Sequence, residues 1–118
     1  MDRFTAGYLE CALWSSTDDT GEPLDDNYGV EDLAPEALAQ AIEDCREFQE
    51  VNAELLATYT RPSDHAGHDY WLSRNGHGAG FWDRGEGETG DALHKAAKLN
   101  GSRDLYAGDD GQLYFSGY

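Results

Sequence analysis

Lysine is nearly missing from this chain. Lys95 and Lys98 are the two in 118 residues, and with six arginines they leave eight bases against 24 acids, a formal charge of −16 and an isoelectric point of about 4.2. A surface of that sign repels nucleic acid and anionic membrane, which excludes direct nucleic-acid binding and favours basic partners. Cysteine is scarce too. Cys11 and Cys45 form no CxxC pair and no dense framework, and each lies in a stretch that reads as helix, so both are expected as buried thiols. No apolar run approaches the roughly 18 residues of a membrane span. The opening Met1-Asp2-Arg3-Phe4 lacks the basic-then-apolar order of a secretory signal, so a soluble, cytoplasmic protein is expected. Internal repeats, low-complexity tracts and Pro/Gly-rich linkers are also wanting.

What is present can build a core. Apolar residues make up 39% and aromatics 12%, more than a disordered acidic chain carries, and 118 residues is close to the usual size of one domain. A single compact domain over 1–118 is the expectation. The acids are unevenly placed: residues 1–54 hold 15 acids and two bases, residues 55–118 nine acids and six bases, for −13 against −3. Adaptation to high salt would spread carboxylates over every surface, and this asymmetry argues against it.

Local patterns suggest the order α, α, ββ, α, ββ. Phe4 to Ser15 reads as a first helix, and the turn-rich acidic stretch from Asp18 to Gly29 as a long loop. Pro35 and Glu36 suit the start of a second helix running to about Thr58. After Arg61-Pro62-Ser63 the aromatic run Asp69 to Arg74, the dipeptide Asn75-Gly76 and the segment His77 to Arg84 read as a β-hairpin, because Asn-Gly favours the type I′ turn. Gly90 to Asn100 reads as a short helix, and Leu105 to Phe115 as a second hairpin about Asp109-Asp110-Gly111. The expected class is α+β, about four antiparallel strands with the helices on one face.

Two constellations stand out. At 100° per residue Glu36, Glu43, Glu47, Glu50 and Glu54 share one face of the second helix, opposite Leu38, Ala41, Cys45, Phe48, Leu55 and Leu56. Like charges at helical spacing repel, so folding alone does not favour such a stripe. Its carboxylates recur about once per 5.4 Å turn, comparable to phosphates along a nucleic-acid strand. Loop acids including Asp18, Asp19, Asp25 and Asp26 extend the field. The reading is a nucleic-acid mimic that occupies the basic groove of a DNA- or RNA-binding protein. The second constellation is His65, His68, Asp69 and His77, with Asp64 and Asp83, which offers ligand types for a divalent metal and hence an alternative as a metal-binding protein or metal-assisted hydrolase. Its spacing matches no standard zinc signature. Gly76-x-Gly78-x-Gly80 opens no helix and so fits no phosphate loop. No nucleophile motif is found, no catalytic residue or cofactor is assigned, and a non-enzymatic role is preferred.

The segment Gly67-His68-Asp69-Tyr70-Trp71-Leu72-Ser73-Arg74-Asn75-Gly76-His77-Gly78-Ala79-Gly80-Phe81-Trp82-Asp83-Arg84-Gly85 resembles small uncharacterised proteins of bacteriophages and prophages. Asp104-Leu105-Tyr106, Gly108-Asp109-Asp110-Gly111, the opening Ala12-Leu13-Trp14-Ser15-Ser16-Thr17-Asp18-Asp19 and Asp44-Cys45 belong to the same pattern. The resemblance carries no activity and no site residues. It implies a bacterial host cell as setting, where small acidic phage proteins counter host defence or repair enzymes, or serve as non-catalytic structural or regulatory components.

Overall fold

The computed structural model describes residues 1–117. Helix α1 spans Arg3–Ser15, begun by Asp2, whose carboxylate accepts the Thr5 N–H at 2.8 Å and so satisfies one of the open donors of the first turn. The same carboxylate accepts from Gln49 at 3.1 Å, tying α1 to α2 (Pro35–Val51). A six-residue α3 (Ala53–Thr58) follows, then α4 (Ser63–Asn75), α5 (Gly87–Leu99) and one antiparallel hairpin, β1 (Asp104–Ala107) with β2 (Leu113–Ser116). Short 3₁₀ turns occupy Leu24–Asp26, Val30–Asp32 and Phe81–Asp83.

The molecule is dominated by helices, and this corrects the expected class. The described residues contain a two-stranded sheet in place of four strands, because the segment read as the first hairpin is α4 with the 3₁₀ turn behind it. Asn-Gly serves here as a helix end. Gly76 adopts the left-handed conformation (φ 66°) and its N–H bonds the carbonyls of Leu72 and Ser73, a common way to close a helix. Helix α4 gave no amphipathic signal because it is wrapped on nearly all sides; Ala66, Gly67 and every residue from Asp69 to Arg74 are buried. It crosses α1 closely. A Cβ on Gly67 would lie 1.9 Å from the Phe4 carbonyl oxygen, and one on Gly7 2.0 Å from that of Asp64, so two glycines let the backbones meet.

The second expected helix is also interrupted. At Asn52 the backbone leaves helical geometry (φ −109°, ψ 24°), and the side-chain amide donates to the Phe48 carbonyl at 3.0 Å, competing with the helix ladder. The acidic loop is more ordered than expected: Thr17 bridges Pro23, and Leu24 is buried while its N–H bonds the Ser16 carbonyl at 2.9 Å.

The core is an aromatic stack between α1, α2 and α4. Phe48 lies parallel to Tyr70 at 4.1 Å, Tyr8 meets Trp71 edge-on at 5.3 Å, and Phe81 closes the far side against Tyr59. Each such ring contributes about 1.5–3 kcal/mol by burial. The hairpin is fastened to the α2 entry by a parallel bridge between Leu33 and Leu113.

Candidate functional site

Four of the five stripe glutamates lie on α2. Glu36, Glu43, Glu47 and Glu50 are all exposed, with Ala37, Ala41, Cys45 and Phe48 buried on the other side. Burial of those four residues fixes the helix rotation and turns the carboxylates outward. Glu54 is exposed but falls on α3, beyond the Asn52 break, so the regular 100° progression that grouped it with the others does not reach it. The stripe is not purely anionic. Arg46 reaches Glu43 at 2.5 Å and Glu50 at 2.6 Å, and this bond to Arg46 holds the Glu43 carboxyl below its ordinary range. Four acids and one base leave −3 on this face.

One further acid joins it. Tyr114 on β2 lines a shallow recess with Glu36, Ala37 and Gln40, and its hydroxyl donates to Asp110 in the hairpin turn. That bond, with burial and the charges of Asp110 and Glu36, pushes the Tyr114 hydroxyl up to about 12. Asp110 therefore belongs to the field at the Pro35 end of α2, a neighbourhood no sequence spacing could disclose because 74 residues separate Glu36 from Asp110.

The loop acids serve their own segment. Asp18 accepts from the Thr20 hydroxyl at 2.7 Å and from the backbone N–H groups of Thr20 and Glu22, an Asx-type turn that lowers its pKa. Asp19, Asp25 and Asp26 are exposed, and among the described residues no hydrogen bond or ion pair joins them to α2. The structure thus brings four glutamates together and leaves Glu54 and the loop acids outside that group.

The metal-ligand reading places its residues differently. Asp69 is fully buried, and its two oxygens accept from the Tyr59 hydroxyl at 2.6 Å, Arg61 at 3.0 Å and Arg84 at 2.9 Å. This is a closed ion-pair cluster that pins the segment after α3 and the turn after α4 to the middle of α4. Burial, followed by the bond to Asp69, raises the Tyr59 hydroxyl well above its ordinary value. His65 is exposed, His68 is half-buried with Nε2 3.7 Å from Glu10, and His77 is exposed in the loop after α4. Among the described residues no group of three or more His, Cys, Asp or Glu side chains is arranged to hold a metal ion.

Sequence reasoning also missed the role of Arg74. Its side chain is 1% exposed and donates to Asp44 at 2.9 Å, to the Tyr8 hydroxyl at 3.0 Å and to the carbonyls of Asn100 and Gly101. One guanidinium so joins α1, α2, α4 and the end of α5, and Asp44, although it lies on α2, is turned inward to meet it. Both cysteines are buried free thiols; burial pushes Cys11 up to about 12 and Cys45 higher still. Among the described residues no helix is long and apolar enough to cross a membrane. No family model matches this chain, and neither a curated protein nor a solved structure matches it.

Proposed function

We propose that this protein is a non-enzymatic acidic binding protein that engages the basic, nucleic-acid-contacting surface of a DNA- or RNA-binding protein and blocks it. The observation that carries the reading is the outward carboxylate face of α2, Glu36, Glu43, Glu47 and Glu50, on a molecule of net charge −16. Glu36 and Glu50 stand about 21 Å apart along the helix at 1.5 Å per residue, a span over which a groove lined by Lys and Arg meets several phosphates. A helix anchored by the Phe48 stack and by the Arg74 to Asp44 bond presents that charge on a rigid element, which lowers the ordering cost of binding. Electrostatic steering speeds encounter and makes affinity fall with salt. The resemblance to phage proteins favours a bacterial host enzyme as the target.

The test is capture by the immobilised protein from a heparin-retained fraction of bacterial lysate. Capture of nucleic-acid-binding proteins that are released by salt and by added duplex DNA, and lost on Glu47→Lys with Glu50→Lys in a variant that still folds, is the expected result. Partners that survive duplex DNA and the double charge reversal would remove the α2 face from the reading.

A further inference from the structure

The distinctive motif residues that the acidic face does not use converge elsewhere. Cys11, Trp14 and Ser15 of α1, His68 and Leu72 of α4, His77 and Ala79 of the following loop, and Arg84 line a cleft of about 560 Å³. It shares no residue with the α2 face. In a chain with 24 acids, no carboxylate lines this cleft among the described residues.

The chemistry of the lining is directional. Ser15 Oγ accepts the Trp71 indole N–H at 2.8 Å, so the hydroxyl proton remains available to donate. Arg84 donates to Asp69 through Nε, which also lies 3.6 Å from an Asp83 carboxylate oxygen, and among the described residues its Nη atoms donate to no protein acceptor. The imidazoles of His68 and His77 add ring N–H donors, and Glu10, 3.7 Å from His68 Nε2, does not line the cleft. Between these donors the surface is apolar: Cys11 and Leu72 are buried beneath it, Ala79 is half-buried, and the Trp14 indole is 64% exposed. Cys11, with its thiol pushed up to about 12, brings no negative charge at neutral pH.

A set of donors without carboxylates is suited to an oxyanion, and an exposed indole beside an apolar floor is suited to a flat ring. We infer that this cleft is a binding site for a small organic anion, a carboxylate or phosphate monoester carrying an aromatic group, with the anion held by Arg84, His77 and Ser15 and the ring laid against Trp14. The cleft is then a carboxylate-free, donor-lined recess in an acidic molecule whose other surfaces would repel such a ligand. Arg84 is held in place by Asp69, a buried carboxylate, so the anion meets a preorganised guanidinium rather than a free side chain.

The full-length protein, labelled with ¹⁵N, is titrated with phenyl phosphate and with benzoate, and separately with phenol and inorganic phosphate. Saturable shifts of the Trp14 indole and His77 resonances with at least one aromatic anion, and binding about tenfold weaker for phenol and phosphate alone, are expected. Trp14→Ala and His77→Ala, both at exposed side chains that leave the Asp69 cluster intact, should each weaken that binding by about tenfold. The inference is overturned by the lack of saturable shifts with both aromatic anions up to about 10 mM, a concentration reporting only very weak affinity. It is also overturned by saturable binding that neither substitution weakens.

Discussion

Asp69 shows how a ligand-type residue becomes structural. A carboxylate taken wholly out of water is costly unless its oxygens are met, and here two arginines and a tyrosine meet them. Removing it strands the Arg61 and Arg84 charges in a partly buried setting, so Asp69→Ala is expected to cost about 3–5 kcal/mol, the usual range when one partner of a buried pair is lost. Urea unfolding compared with the wild type measures it, and a loss within error would show the cluster to be dispensable. The thiols give a second residue-scale expectation. With Cys11 pushed up to about 12 and Cys45 above that, neither supplies thiolate at pH 8; Ellman's reagent should titrate both in denaturant and neither in the folded protein.

Among the elements, the α1–α4 crossing and the α5 entry are the points of control. Gly67→Ala places a methyl against the Phe4 carbonyl and must push the two helices apart, with an expected loss of about 1–3 kcal/mol, typical of overpacking. Gly78→Ala, a site with open space but a φ of 77°, should cost only about 1–2 kcal/mol of backbone strain. At the start of α5, Glu86 accepts from the Thr60 N–H and hydroxyl, both at 2.6 Å, and those bonds lower its pKa from 4.5. A depressed carboxyl contributes stability that is complete above the ordinary value of 4.5 and is lost as pH falls through the lower folded value. Acid unfolding followed by circular dichroism should therefore show a shallower dependence below pH 4.5 in Glu86→Gln than in the wild type. Helices α1, α2 and α5 were legible at this scale because each carries a local signal: the apolar side of α1, Pro35 and Glu36 in α2, Asn100-Gly101 closing α5. Helix α4 was not, since eight of its thirteen residues are buried and Tyr70-Trp71-Leu72 reads equally well as strand.

For the whole molecule, charge sets the behaviour. At −16 the folded chain repels itself, and screening relieves that repulsion, so the melting temperature is expected to rise as sodium chloride is added from low ionic strength. Differential scanning calorimetry at several salt concentrations tests this. The same salt should weaken the proposed complex, a divergence that separates folding from binding. Arg46 supplies a sharper contrast. It clamps Glu43 and Glu50 across the stripe, and Arg46→Gln removes the one cation from that face. If the α2 face is what the partner recognises, that variant binds the basic partner more tightly in a competition assay, with no gain if recognition lies elsewhere.

Sequence alone determined the excess of acid, its concentration in residues 1–54, the burial of both thiols, and the core and carboxylate faces of α2, because composition and a 3.6-residue period need no knowledge of neighbours. Tertiary structure decided the rest. Aromatic residues beside Asn75-Gly76 satisfy the local rules of strand and helix alike, and α4 is helical because α1 packs along it through Gly7 and Gly67 while α2 and the Phe81 turn surround its rings. The fate of the polar residues followed from that choice: as a helix, the segment directs Asp69 and Arg74 into the interior and His68 toward the cleft with Trp14. Carboxylates dispersed along the chain became one field or several only when Arg46, Asn52 and Tyr114 were placed beside them.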